Sequence, residues 1–159
     1  MRNRSVKIPI ITDWIAWTPT GTWTTNTTYT GFYKRDGSCL SVDIQIALAG
    51  APTSTTLQVN LPVGFVINTA LMTSSVATST PLKAQGQLLD FGTNSVFIWA
   101  DFNDSTSFNV VCGGSGSTDL ARTSVNATTP ITFAANDRLR ILISNIPILG
   151  WKTFKNVVL

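Results

Sequence analysis

The chain has 159 residues, 43% of them hydrophobic, which suits one domain with a substantial core. It contains no His, and its eight acidic residues are all Asp, so Ser–His and Cys–His nucleophiles are excluded and a zinc site is not expected. The net charge of +3 rests largely on basic residues near the two termini rather than on a basic stripe, so nucleic-acid binding is not expected either.

The first segment of note is rich in Trp and Thr and follows a short apolar run that Asp13 ends. That run is far shorter than the roughly 18 apolar residues that cross a bilayer, so membrane insertion is not expected. Flat aromatic faces can stack on sugar rings, which makes Trp14, Trp23 and Tyr29 candidate ligand-binding residues. Alternatively, these side chains pack at a sandwich edge or against a neighbouring chain, because Trp is mostly buried in proteins.

The next segment predicts a β-hairpin. Asp36-Gly37 favours a tight turn between a strand at residues 30–34 and a longer strand at residues 40–48. In the longer strand the apolar residues alternate with other residues, as in a half-buried strand. One face carries Leu40, Val42, Ile44, Ile46 and Leu48, and the other carries Ser41, Asp43, Gln45 and Ala47.

Shorter runs rich in Val, Ile, Thr and aromatic residues predict further strands, and no window shows helical spacing. These strands lie at residues 55–61, 65–67, 85–91, 95–102, 106–112 and 138–148. Loops are expected at residues 73–81 and from residue 113 through at least residue 117. Because the strands are many and short, we predict an all-β fold, an antiparallel two-sheet sandwich of jelly-roll type.

The strand at residues 95–102 and the turn after it hold the remaining candidate binding residues, Trp99, Asp101 and Asn103. Trp99 shares one strand face with Phe97. The sequence leaves three interpretations of that face: part of the core, an interface between chains, or an exposed platform. Asp101, Asn103 and Asp104 surround the turn.

The oxygen atoms around this turn suit calcium, and two nearby carboxylates suit glycoside hydrolysis. The favoured interpretation is plainer: Asp and Asn are ordinary turn formers because they bond to their own backbone. No catalytic residue, metal site or cofactor is therefore assigned. Cys39 and Cys112 are too few for a disulfide scaffold and are expected to be unpaired.

An ordered set of short motifs spans most of the chain. Trp-Thr-Pro-Thr at residues 17–20 is followed by Tyr-Thr-Gly-Phe-Tyr at 29–33, Leu-Pro-Val-Gly at 61–64 and Ile-Pro-Ile-Leu-Gly-Trp at 146–151. This order resembles the C-terminal receptor-binding or tip domains of bacteriophage tail fibres and tailspikes, and of related bacterial trimeric fibre-tip proteins. The chain departs from that family in its hairpin, Arg-Asp-Gly-Ser at 35–38, and in its extension past Trp151.

The resemblance implies a homotrimer at the tip of a virion tail fibre or of an extracellular fibre. It implies binding to a bacterial surface glycan or another receptor. Residues 1–13 would then be an extension or a connection to a fibre shaft, and residues 14–159 a single sandwich domain. The low charged fraction, 12%, fits either apolar surface covered by a symmetric partner or a thick sandwich whose surface is coated with Thr and Ser. The alternative is a purely structural domain that trimerises or caps a fibre or depolymerase.

Overall fold

The structure, a computed structural model, describes residues 5–72, 80–92, 94–113 and 122–158. Across these residues the chain forms eleven β-strands and one short 3-10 turn, Thr69–Leu71. The strands are β1 (Ser5–Pro9), β2 (Ile15–Trp17), β3 (Thr27–Asp36), β4 (Cys39–Leu48), β5 (Gln58–Asn60), β6 (Lys83–Asp90), β7 (Asn94–Asp104), β8 (Ser107–Gly113), β9 (Arg122–Ser124), β10 (Arg138–Pro147) and β11 (Phe154–Val158).

All the strand pairs are antiparallel and fall into two sheets. β1 pairs with β11 in a two-stranded ribbon, and the other strands run in the order β2-β3-β4-β10-β6-β7-β8-β5, with β9 beside β8. A bridge between Gly21 and Val59 links the chain after β2 to β5, so the two edges of the larger sheet approach each other. The larger sheet wraps around one core, to which β1 and the described residues of β11 contribute no buried side chain, and the structure confirms the predicted all-β sandwich.

Alternation of side chains along the strands builds the core. All five apolar residues predicted to share one face of β4 are buried, and the alternate residues of β10 meet them across the sheet. Side chains on neighbouring strands of one face lie about 5 Å apart, so this pattern packs them in continuous contact. The buried residues of β10 are Leu139, Ile141, Ile143 and Ile146.

The predicted hairpin is confirmed, and it is longer than the sequence pattern indicated. β3 and β4 pair in register from Thr27 opposite Leu48 to Asp36 opposite Cys39. Gly37 forms the turn with a φ of +63°, in the left-handed region where a residue without a Cβ fits best.

Two predicted strands differ in extent. The run at residues 55–61 pairs only over β5, although Leu57 and Leu61 on either side are buried. At residues 65–67 the structure has a single bridge, from Ile67 to Ile148, instead of a strand. The predicted loops fall mostly outside the described residues.

The ribbon of β1 and β11 was not predicted. It is joined to the β3–β4 hairpin, because the Gly37 N–H donates to the Ile10 carbonyl at 2.8 Å and the Ile10 N–H donates to the Thr153 carbonyl at 3.2 Å. Most of the ribbon is exposed, including the apolar side chains of Ile8 and Phe154. An isolated two-stranded ribbon is only marginally stable in water, so these contacts to the hairpin help to hold it.

The segment after β10 anchors its aromatic residue on the domain. Trp151 packs edge-on against Phe65, with ring centroids 5.1 Å apart, and Phe65 packs in the same way against Tyr33 at 5.4 Å. The Arg35 guanidinium lies over the Trp151 ring at 4.5 Å, while its Nη2 donates to the Lys152 carbonyl. These contacts hold Trp151 against the domain.

Both cysteines are unpaired, as predicted, with Cys112 buried and Cys39 partly exposed. Burial raises the pKa of the Cys112 thiol, which keeps it protonated and unreactive. Across the described part of the chain, no helix has the length and apolar character to span a membrane.

Candidate functional site

A shallow groove of about 380 Å³ lies on the outer face of β4, β10, β6 and β7. Strand register explains it. Where one residue of each strand faces the core, its neighbours face outward, and these outward residues line up across four strands. We call this feature the outer groove, and the side chains that line it are Asp43, Gln85, Gln87, Phe97, Arg140 and Leu142.

A second depression, about 560 Å³, continues the outer groove across β7. Gln85 and Phe97 border both depressions, and the second is also lined by Pro81, Trp99 and Arg122. The two together form one open surface rather than an enclosed cavity.

Aromatic side chains dominate the β7 side of this surface. Phe97 is 80% exposed although it lies in the middle of a strand, and Trp99 is half-buried on the same face. The interpretation that this face packs into the core is therefore wrong. The core residues of β7 are the ones that alternate with Phe97 and Trp99, namely Ile98, Ala100 and Phe102. A largely solvated Phe in a sheet centre leaves apolar area for a ligand or another chain to cover.

An ion pair forms the polar side of the outer groove. Arg140 binds Asp43 with two hydrogen bonds, Nε to Oδ1 at 3.1 Å and Nη2 to Oδ2 at 2.7 Å. The hydrogen bond and the charge of Asp43 raise the pKa of Arg140. A guanidinium has five N–H donors and a carboxylate about four lone pairs, so both groups keep capacity for a ligand.

Two glutamines complete the groove lining between the ion pair and the aromatic residues. Gln85 lies opposite Leu142 and Gln87 opposite Arg140, and both side chains are exposed. Within the part of the chain that the structure describes, neither amide forms a hydrogen bond. Each therefore offers two donors and an acceptor to a bound molecule.

Asp101 and Asn103 belong to a polar cluster that continues from Trp99 along the outer face of β7. Asp101 is 3% exposed and forms an ion pair with Arg122 of β9. Asn103 donates to the Ser107 hydroxyl at 2.8 Å and accepts from Asn109 and Gln58. Because Asp101 is almost fully covered, it acts on a ligand only through Arg122, which lines the second depression.

Asp104 behaves as a turn former. Its Oδ1 accepts from the N–H of Thr106 at 2.7 Å and from the Thr106 hydroxyl at 2.9 Å. Partial burial opposes ionisation, but these and further hydrogen bonds from Ser107 outweigh it and hold the pKa of Asp104 below its ordinary value. The hydrogen bonding is that of an ordinary Asx turn.

The other three predicted binding residues lie away from the outer groove. Trp23 is fully buried, packs edge-on against Phe133 and donates from Nε1 to the Thr55 carbonyl, so it has no surface with which to contact a ligand. Tyr29 is half-buried, and desolvation raises its pKa to about 12. Trp14 is exposed, with the Lys34 ammonium over its ring at 5.0 Å.

The structure thus brings together Trp99, Asp101 and Asn103 and separates the tryptophans of the N-terminal segment. The rest of the outer groove was not predicted, although Asp43 and Arg140 alternate with the core residues of their strands and so could be expected to face outward. Their proximity depends on β10 lying between β4 and β6, and no local pattern contains that strand order.

Comparisons of the chain with protein-family models, with curated proteins and with solved structures give no match.

Proposed function

We propose that this protein is a non-enzymatic carbohydrate-binding domain and that the outer groove, with the depression that continues it, is its binding surface. The observation that carries the proposal is Phe97, an aromatic ring 80% exposed at the centre of a sheet and bordered by polar side chains.

The chemistry of the surface suits a sugar. A sugar ring has an apolar C–H face, which stacks on an aromatic ring, and a rim of hydroxyl groups that donate and accept hydrogen bonds. Phe97 and Trp99 supply the aromatic faces. Gln85, Gln87 and the Arg140–Asp43 pair supply planar donors and acceptors beside them.

The carboxylates near this surface suit binding better than hydrolysis. Glycoside hydrolysis needs one carboxyl group that stays protonated near neutral pH, and burial away from cations produces that state. Asp101 instead forms an ion pair with Arg122, Asp43 pairs with Arg140, and the pKa of Asp104 is lowered. Asp43 and Asp101 thus lie beside guanidinium groups rather than away from cations.

The biological setting that we propose is the tip of a trimeric fibre, on a virion tail or on a bacterial surface, where the domain attaches to a surface glycan. Its support is the order of motifs, which resembles that of tail-fibre tip domains, and the low charged fraction of 12%. Exposed apolar residues outside the outer groove, among them Ile8, Ile11 and Phe154, supply surface for contact between subunits.

Replacement of single aromatic residues tests the binding surface. We expect Phe97→Ala and Trp99→Ala each to weaken attachment to the recognised glycan about tenfold, because loss of one aromatic contact costs about 1 kcal/mol or slightly more. The assay is retention of the purified protein on an array of bacterial polysaccharides and on whole bacterial cells. Phe91→Ala is the matched control, since Phe91 is 66% exposed at the β6–β7 turn and outside the outer groove.

The alternative is a structural cap that trimerises a fibre and binds no receptor. If the exposed apolar faces of the outer groove and the ribbon are interfaces between subunits, they support this structural role as well as they support carbohydrate binding. In that case Phe97→Ala lowers the mass of the assembly and no glycan retains the parent protein. An unchanged mass together with lost glycan retention contradicts the structural role.

A further inference from the structure

We infer that the ligand of the outer groove is an anionic polysaccharide, a polymer whose sugar residues carry spaced carboxylate or sulfate groups. This inference rests on the proposed function and names the substrate class. Its basis is the charge on the outward-facing residues of the strands that form the groove.

Unpaired cations flank the outer groove. Arg138 of β10 and Lys83 of β6 both point outward and are exposed, and neither has a carboxylate partner among the residues that the structure describes. The carboxylates nearest the groove, Asp43 and Asp101, are each neutralised by an arginine. The two unpaired side chains therefore give the flanks of the groove a positive charge.

The spacing of these cations matches an extended polymer. Lys83 lies opposite Ser144, six residues along β10 from Arg138. At about 3.3 Å per residue, the two cations are separated by about 20 Å along the strand direction. The groove lies between them, so a chain of several sugar rings that follows β10 places an acidic group near each end while its middle rings contact Phe97.

The same surface is poorly suited to nucleic acid, although nucleic acid is also anionic and stacks on aromatic rings. Single-stranded nucleic acid carries a phosphate on every nucleotide, so it is recognised by a continuous row of cations. Here the one cation between Lys83 and Arg138 on these strands, Arg140, is already paired with Asp43, so no continuous row of free cations faces a closely spaced row of phosphates. A polysaccharide with more widely spaced acidic groups needs no such row.

The experiment uses the full chain and a panel of immobilised bacterial and plant polysaccharides, each presented in native form and after chemical reduction of its carboxylates, together with sulfated and neutral polymers. We expect retention on carboxylated or sulfated members and loss of retention on the carboxyl-reduced forms of the former. Raising the salt concentration should weaken retention on the anionic polymers, because salt screens exposed charges.

A double variant tests the two cations. Lys83→Gln with Arg138→Gln should weaken binding to the retained anionic polymer about fivefold, the size expected for two exposed ionic contacts. Lys152→Gln with Lys155→Gln is the matched control, because it removes the same charge at exposed positions outside the groove and should leave binding unchanged.

The outcomes separate the two proposals. Equal retention on native and carboxyl-reduced polymers, without preference for sulfated ones, overturns the anionic assignment and keeps carbohydrate binding. Displacement of the bound polymer by a single-stranded oligonucleotide at lower concentration than by the polymer itself also overturns it. Retention on no polysaccharide at all overturns both proposals.

Discussion

Asp137 shows how a single polar residue secures the loops at one end of the sandwich. It is 1% exposed, and its two carboxylate oxygens accept from the Phe91 N–H at 2.9 Å and from the Ala134 N–H at 2.7 Å. The carboxylate thereby ties the β6–β7 turn to the turn that precedes β10. Hydrogen bonds to a buried charged group are among the stronger contributors to stability.

Removing this carboxylate should destabilise the fold. We expect Asp137→Ala to lower the free energy of unfolding by about 2–4 kcal/mol, because two backbone N–H groups lose their acceptors. Denaturant-induced unfolding measures the change. Asp137→Asn is the control: it keeps one acceptor oxygen and should cost clearly less, and equal losses in the two variants would contradict this explanation.

Residue-level sequence reasoning was most reliable where side chains alternate. The inward residues of β4 were identified from alternation alone, and the structure buries them. Aromatic residues were harder to assign, because Trp is large, amphipathic and common both in cores and at binding surfaces. Trp23 is a core residue that packs against Phe133, whereas Trp99 lines a surface depression. The tertiary contacts of each residue decide this difference.

At the level of strands, the contact between β6 and β10 is unusually close. A Cβ at Gly86 would lie 2.5 Å from the Arg140 carbonyl oxygen and 2.9 Å from Cγ1 of Ile98. The nearest of these is backbone, which cannot move without disturbing the β6–β10 ladder. Gly86 therefore sets the approach of the two strands that carry most of the outer groove.

We expect Gly86→Ala to destabilise the domain by about 1–3 kcal/mol, the usual cost of forcing an extra methyl group into a packed site. Thermal unfolding provides the measurement. Gln87→Ala, at the next position of the same strand but exposed, should change stability by less than about 0.5 kcal/mol. If the Gly86→Ala variant were as stable as this control, β6 and β10 could move apart without a loss of stability, and the explanation would be wrong.

The strands themselves were largely predictable, and their arrangement was not. Local alternation located β3, β4, β6, β7, β8 and β10, because each has enough residues to display a period of two. β2 and β9 have three residues each, too few for a pattern, and β1 and β11 pair with each other across almost the whole chain. Such long-range pairing is fixed by tertiary packing, which a local window does not contain.

For the molecule as a whole, the proposed assembly state is the most direct point to test. We expect the purified chain to have a solution mass of three times its 17.1 kDa, measured by light scattering on a sizing column. The physical reason is apolar surface: the exposed side chains outside the outer groove would be covered at subunit interfaces. A mass of one chain would contradict the trimer and leave a monomeric carbohydrate-binding domain.

The pairing of β1 with β11 also makes a circular permutant of the chain feasible. Ser5 lies directly opposite Val158, so the two backbones run side by side about 5 Å apart. In a variant that begins at Ser5 and ends at Val158, a two-residue hairpin loop would bridge that gap. New ends could then open beside Val63, a fully exposed residue next to the Gly64 turn. Such a circular permutant would keep every strand of the outer groove intact while presenting its ends on a different part of the surface.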